Sequence, residues 1–167
     1  MELEAKRVFP LETGGVLLGY SSDSTDEVVV RTVVGPGPLA RHDASGFLPD
    51  QRYHEAEVAR LYAESGRTWT YLGDWHTHPN STAGLSLTDR RTLGRVSRAN
   101  AARVTFPIMA ILAGSPCVFG DEAVRTDAVA ARSGWQLAVW KVRMRPNLWA
   151  AQSGRIATAL CMIHFLE

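Results

Sequence analysis

The stretch Gly73 to Asp89, GDWHTHPNSTAGLSLTD, places two histidines and a carboxylate where one metal ion can reach all three, and the rest of the chain is read outward from it. Leu72 to Thr77 has the composition of a strand. The two-residue side-chain period then sets His76 and His78 on one face and Trp75 and Thr77 on the other. Pro79 cannot donate to a sheet ladder, so the strand ends there, and the small, polar run Asn80 to Leu85 reads as a loop. Ser86 stands at a helix N-cap, with Leu87 and Thr88 opening the helix and Asp89 at its third position. Taken alone, Ser86 to Asp89 is an ordinary capping box. Joined to the histidine pair it supplies two imidazoles and a carboxylate, three of the four ligands zinc takes. The position left for water is the pattern of a catalytic site, not a structural one.

On the N-terminal side, Gly14-Gly15 admit close backbone approach and Val16 to Tyr20 is a short apolar run of buried-strand type. The β-branched Glu27 to Val34 forms a hairpin with it across the polar turn 21–26. Gly35-Pro36-Gly37-Pro38 breaks the sheet, and Leu39 to Pro49 reads as a long loop of the kind that shapes a substrate groove. Gln51 to Ser65 is helical, with Val58, Leu61 and Tyr62 on one face, and Gly66 stops it. His54 in this helix has no ligand spacing and reads as structural or surface. Beyond the metal loop we expect a helix over Leu87 to Ala101, a buried strand over Pro107 to Leu112, and a neighbouring strand at Cys117 to Phe119. Asp121 to Ser133 is an inserted loop or short helix, and Trp135 to Val142 is a final strand. The tail 147–167 carries a helix-like run, Leu148 to Ala159, that packs on the core or on a second copy in a homodimer.

Composition limits the function classes. A chain of 167 residues with 46% hydrophobic and 21% charged residues suits one globular domain whose core needs no staple. A formal charge of +1 leaves no basic footprint for nucleic acid. Arg90, Arg91, Arg95 and Arg98 read as a solvated helix face. Cys117 and Cys161 are too far apart in sequence for a knuckle and read as reduced core thiols. MELEAKRVFP lacks the apolar run of a signal peptide, and no apolar stretch reaches the ~18–20 residues of a membrane span. The expectation is a cytoplasmic protein without a membrane partner.

The sequence His76-Thr77-His78-Pro79, six residues, then Ser86, two residues and Asp89 resembles the JAMM motif of the JAB/MPN metalloproteases, including the small hydroxyl residue between the histidines. Glu12-Thr13-Gly14-Gly15 strengthens the likeness, since active members carry a glutamate just before a Gly-rich strand. Without that motif Glu12 would read as an exposed loop acid. The likeness runs from about Pro10 to Val142. It implies an α/β (α+β) fold, cytidine-deaminase-like, with a mixed sheet flanked by helices in a single domain over residues 1–146. Members usually have a strand and a full helix before the glutamate, for which this chain has little room, so the sheet edge stays open.

What the resemblance implies about activity is specific: one Zn²⁺ per chain on His76, His78 and Asp89, Glu12 as general base and acid, and Ser86 as oxyanion donor. The G-P-G-P turn and the G-D-W-H-T-H-P run are similar to bacterial stand-alone JAMM proteins. These include deconjugating peptidases associated with CD-NTases in CBASS antiphage operons. The implied partner is a protein with an extended C-terminal tail, CD-NTase-like or ubiquitin-like. Trimming of a ubiquitin-like sulfur carrier is an alternative with the same chemistry. A metal-free MPN scaffold and a DNA-associated relative of the RadC type are the non-peptidase alternatives, against which stand the retained ligands and the balanced charge.

Overall fold

The computed structural model of the chain describes residues 1–21, 27–104, 106–116, 134–143, 157–160 and 164–165. Helix α1 (Glu2–Val8) precedes β1 (Gly14–Ser21), β2 (Val28–Val34), the short β3 (Arg41–Asp43) and β4 (Gly46–Leu48), and helix α2 (Gln51–Glu64). Then come β5 (Thr70–Pro79), α3 (Leu87–Val96), β6 (Ile108–Gly114), β7 (Trp135–Arg143), β8 (Ala157–Leu160) and β9 (His164–Phe165). Seven strands form one mixed sheet in the order β8-β7-β6-β5-β1-β2-β9, and β3-β4 form a separate pair. The metal-motif strand β5 is central, antiparallel to β1 and parallel to β6. Among the described residues no helix is long and apolar enough to cross a membrane.

Alternation along the strands sorts the core into two faces. Leu17, Leu72, Trp75, Ile108, Ala110 and Val139 pack together on one face, with Met1 at the head of α1 against them. On the other face Val16, Leu18 and Val34 meet Tyr53, Val58 and Leu61 of α2. Met109, Ile111 and Ala113 meet Leu85, in the loop before α3, and Leu93 within it. His76 lies opposite Gly14 on β1 and Ile111 on β6, so it shares the face covered by both helices. The histidines therefore sit on the floor between α2 and α3. At ~25 cal/mol per Å² this apolar burial is the largest favourable term holding that floor in place.

The paired glycines that open β1 have a packing cause. The Trp75 indole, 1% exposed, crosses β1 and donates from Nε1 to the Val34 carbonyl at 2.9 Å. A Cβ on Gly15 would overlap that carbonyl and press on the indole nitrogen; one on Gly14 would overlap the Trp75 carbonyl and the Phe47 ring. Only residues without side chains let the strands and the indole come this close.

Several expectations change. Leu39 to Pro49 is not a plain loop: Arg41 pairs with Leu48, His42 with Phe47 and Asp43 with Gly46. The polar composition of these short strands shows no apolar alternation, which hid them; main-chain pairing, not burial, makes the hairpin. Helix α3 stops at Val96, short of Ala101, where the Ser97 hydroxyl donates back to the Gly94 carbonyl at 3.1 Å and competes with continuing the helix. Trp135 to Arg143 forms β7 against β6, but it is not the last strand. The end of the expected tail helix, Ala157 to Ala159, lies in β8, paired to the open side of β7, while 148–156 lie outside the described residues. An open strand edge offers unpaired main-chain groups, and this segment satisfies them as a strand. The sheet's other edge, left open by the sequence, is taken by β9, parallel to β2. The turn at 22–26, the strand at Cys117 to Phe119 and all of Asp121 to Ser133 also lie outside the described residues.

His54 is structural as expected: its Nε2 donates to the Gly35 carbonyl at 2.8 Å and the residue is 8% exposed. All four arginines of the α3 region are exposed.

Gly15→Ala should cost about 2–4 kcal/mol, overpacking plus the lost indole hydrogen bond. That lowers Tm by roughly 4–15 °C in thermal denaturation. Gly46→Ala, where an added methyl meets nothing within 4 Å, is the control and should cost nothing. Equal Tm values for the two variants would disprove the close-approach account.

Candidate metal centre

Three elements deliver the site. Strand β5 brings His76 and His78 through the period of two. At its end Asn80 turns with positive φ (54°), a conformation asparagine tolerates, and its N–H donates to the Gly114 carbonyl at 2.8 Å. The following loop is pinned by Trp140, whose Nε1 donates to the Ala83 carbonyl at 3.0 Å, and by buried Leu85. Helix α3 then starts at Ser86 with a reciprocal cap: the Ser86 Oγ accepts from Asp89 N at 3.1 Å, and Asp89 Oδ2 accepts from Ser86 N at 2.7 Å. That cap turns the Asp89 carboxylate inward, where the residue is 8% exposed.

The donor atoms converge. His76 Nε2 and His78 Nε2 are 3.0 Å apart, with Asp89 Oδ1 3.2 Å from the first and Oδ2 3.5 Å from the second. Four ligands at zinc's usual bond lengths stand about 3.3–3.5 Å from one another in a tetrahedron, so the spacing fits. The hydrogen-bond network fits too. His78 Nδ1 lies 3.0 Å from the Thr82 carbonyl, which only accepts, so the ring proton is on Nδ1. In a neutral His78 the Nε2 lone pair then faces a carboxylate oxygen, and only a cation between them makes that arrangement favourable. The outer hydrogen bond also fixes the ring orientation a ligating histidine needs.

Charge follows this geometry. Burial pushes the Asp89 carboxyl up, but hydrogen bonds from His76, His78 and Ser86 outweigh it and hold it well below the usual carboxylate range. The hydrogen bond to Asp89 raises His78 above an ordinary histidine, against the opposing effect of burial. Glu12, half-buried at the mouth of β1, is raised by desolvation; His76 and His78 lower it, and Asp89 and Asp43 raise it. Its carboxyl is thus in electrostatic contact with the cluster from 64 residues away in the chain. Ser86 is exposed, and its cap uses an oxygen lone pair, leaving the hydroxyl proton for a ligand.

All five residues singled out in the sequence are therefore near one another, His76, His78 and Asp89 in direct contact. Trp75 is core, with no part in lining the site. Thr82, Trp140 and His42, whose Nδ1 lies 2.9 Å from the Glu12 carbonyl, were not identified from the sequence. They act on main-chain carbonyls or through one, and residue type carries no signal for that.

Residues 2–133 match the family described as prokaryotic homologs of the JAB domain. A probable metalloprotease of Sinorhizobium fredii, y4qB, is 43% identical over 114 residues, covering 68% of this chain and 69% of that protein. A protein of Enterobacter hormaechei named as a CD-NTase/cGAS isopeptidase is 30% identical over 106 residues, covering 63% of this chain and 57% of that one. The solution structure of a protein from Desulfitobacterium hafniense superposes over 99% of this chain and 85% of its own, with TM-score 0.57 and 18% identity, a likeness of fold alone.

Two outcomes follow for metal binding. Asp89→Ala removes a ligand and should abolish tight binding. Ser86→Ala removes only a cap, costs about 0.5–2 kcal/mol of stability and should retain the metal. Equal affinity in both, measured by competition with a chelating dye, would show the ligand set to be wrong. Because a ligand must be neutral imidazole and His78 is raised, affinity should be highest above its pKa. Below it, affinity should weaken toward about tenfold per pH unit for each proton released. A flat pH dependence from 8 to 6 would contradict it.

Proposed function

The chain belongs to the prokaryotic JAB-domain family, and from that premise we propose that it is a zinc-dependent peptidase of JAMM type. The reading is that it hydrolyses the amide at the C-terminal tail of a conjugated protein. The observation that carries it is the convergence of His76 Nε2, His78 Nε2 and the Asp89 carboxylate, with Glu12 in electrostatic reach. Neutral imidazoles with one carboxylate suit zinc among the common divalent metals. Zinc held there supplies Lewis-acid polarisation and a water made acidic enough to attack at neutral pH.

The chain's own groups do the proton work. The Glu12 carboxylate accepts the proton of the attacking water, and the resulting acid gives it to the leaving amine nitrogen, which must not depart as an anion. The raised Glu12 pKa makes its carboxylate the stronger base and so favours the first transfer. The Ser86 hydroxyl donates to the carbonyl oxygen as negative charge builds there. Ser86 is not a nucleophile on this reading: the histidines beside it face Asp89, and none is free to serve as its base.

The substrate reading is supported by the relatives' names. Proteins similar to this one are named CD-NTase/cGAS isopeptidases. We therefore assign an extended tail of CD-NTase type, presented beside β5, in a deconjugation step of antiphage defence. An extended tail needs no unfolding to offer one carbonyl to the site. Retention of Glu12, Ser86 and the three ligands stands against a silent scaffold.

The test compares Glu12→Gln with Asp89→Ala on a CD-NTase tail fusion. Wild type should contain one zinc per chain by elemental analysis. Glu12→Gln should keep it while turnover falls by ~10²- to 10⁴-fold, the usual loss for a general acid–base group. Asp89→Ala should lose both metal and activity. A Glu12→Gln protein that cleaves at near wild-type rate would remove Glu12 from the mechanism, and a wild type without metal after reconstitution would remove zinc.

A further inference from the structure

We propose that Thr77 and His42 are positioning residues that hold Glu12 at the metal-binding cluster, an inference that rests on the role of Glu12 given above. Strands β1 and β5 pair antiparallel with Gly14 opposite His76. One step further out, Thr77 N donates to the Thr13 carbonyl at 2.8 Å. In a regular ladder the return bond would run from Thr13 N to a main-chain carbonyl. Here Thr13 N donates to the Thr77 hydroxyl at 2.9 Å, and that hydroxyl in turn lies 3.4 Å from the Thr13 carbonyl. Thr13 and Thr77 are both fully buried. The side chain between the two histidines thus ends the ladder and fixes the course of the chain one residue before it reaches Glu12.

The hairpin holds the other side. Glu12 N donates to the Asp43 carbonyl at 2.7 Å, and His42 Nδ1 donates to the Glu12 carbonyl at 2.9 Å. The His42 ring is stacked on Phe47, with centroids 6.4 Å apart and planes at 13°. Phe47 in turn lies against Gly14, where an added Cβ would strike its ring. All four main-chain polar groups of Glu12 and Thr13 are therefore engaged, two by Thr77 and two by His42 and Asp43. What freedom remains to the Glu12 carboxylate is about its own side-chain bonds. A proton is transferred over hydrogen-bond distance, and a displacement near 1 Å costs roughly 10²-fold in rate.

Four full-length, zinc-reconstituted variants test this. Thr77→Val keeps the shape and removes the hydroxyl, Thr77→Ser keeps the hydroxyl, His42→Phe keeps the stacked ring without a donor, and Glu12→Gln is the reference. On the tail fusion, Thr77→Val and His42→Phe should retain zinc and a KM within about twofold of wild type. Their kcat should fall at least about tenfold, while Thr77→Ser stays near wild type. Two readouts do not depend on turnover: hydrogen exchange at the Thr13 amide should speed up in Thr77→Val alone, and crystal structures of Thr77→Val and His42→Phe should show the Glu12 carboxylate displaced. Wild-type kcat in both variants, or a Glu12 carboxylate unmoved in both, overturns the proposal; loss of zinc alongside kcat also does, since the residues would then support the ligands. If Glu12→Gln stays active, the mechanism above fails while exchange and carboxylate position still decide whether Glu12 is held as proposed. Should Thr77→Val fail to fold, His42→Phe, altered in the half-buried hairpin, carries the test alone.

Discussion

The close approach of β1 to β5 is the constraint on which the rest depends. Trp75 reaches across β1 to the Val34 carbonyl because Gly15 leaves room for the indole, while Gly14 lets the two main chains close up. That single contact ties the central strand to the hairpin beyond it and buries the largest apolar side chain of the core. It also sets which face of β5 is core, and with it which face is left for chemistry. Because alternation is strict, sending Trp75 into one face sends His76 and His78 to the other. A shift of one residue in this pairing would bury the histidines under α1 and turn the indole toward the site.

On the chemical face, helix capping and ligand presentation are one event. Asp89 satisfies the Ser86 amide and in doing so turns its carboxylate toward the two imidazoles. The loop that returns the chain from β5 to this cap is held by main-chain carbonyls: Gly114 takes Asn80, Ala83 takes Trp140, and Thr82 takes His78. Each bond is worth about 1 kcal/mol net. Together they preset the donor atoms close to the spacing a tetrahedral ion demands, so little ordering entropy is left to lose on binding.

The hairpin β3-β4 has a second consequence for catalysis. A segment expected to act only as a wall of the substrate groove also holds the backbone of Glu12, through His42 and Asp43. Deleting it would therefore release the Glu12 main chain as well as remove the segment itself.

The site residues were legible in the sequence because each is constrained by chemistry that acts over short spacings. Two histidines two apart share a strand face, Ser followed three residues later by Asp caps a helix, and two glycines after an acid announce a crowded strand start. The buried strands β1 and β6 and helix α2 were legible through apolar pattern for the same local reason. The polar hairpin was missed because it is held by main-chain pairing, to which composition is nearly blind, and the strand at Ala157–Leu160 because a run with helix-like spacing took the pairing an open edge offered. Sequence by itself determined that His76 and His78 share one strand face and that Asp89 stands in the first turn of the helix that follows. Tertiary structure alone decided that the Glu12 carboxyl feels the charge of His76 across 64 positions of chain, that the Thr82 carbonyl orients His78, and that Thr77 and His42 hold the main chain at the strand mouth. Those contacts join main-chain atoms far apart in sequence, and where two main chains come together is set by the packing of the whole sheet.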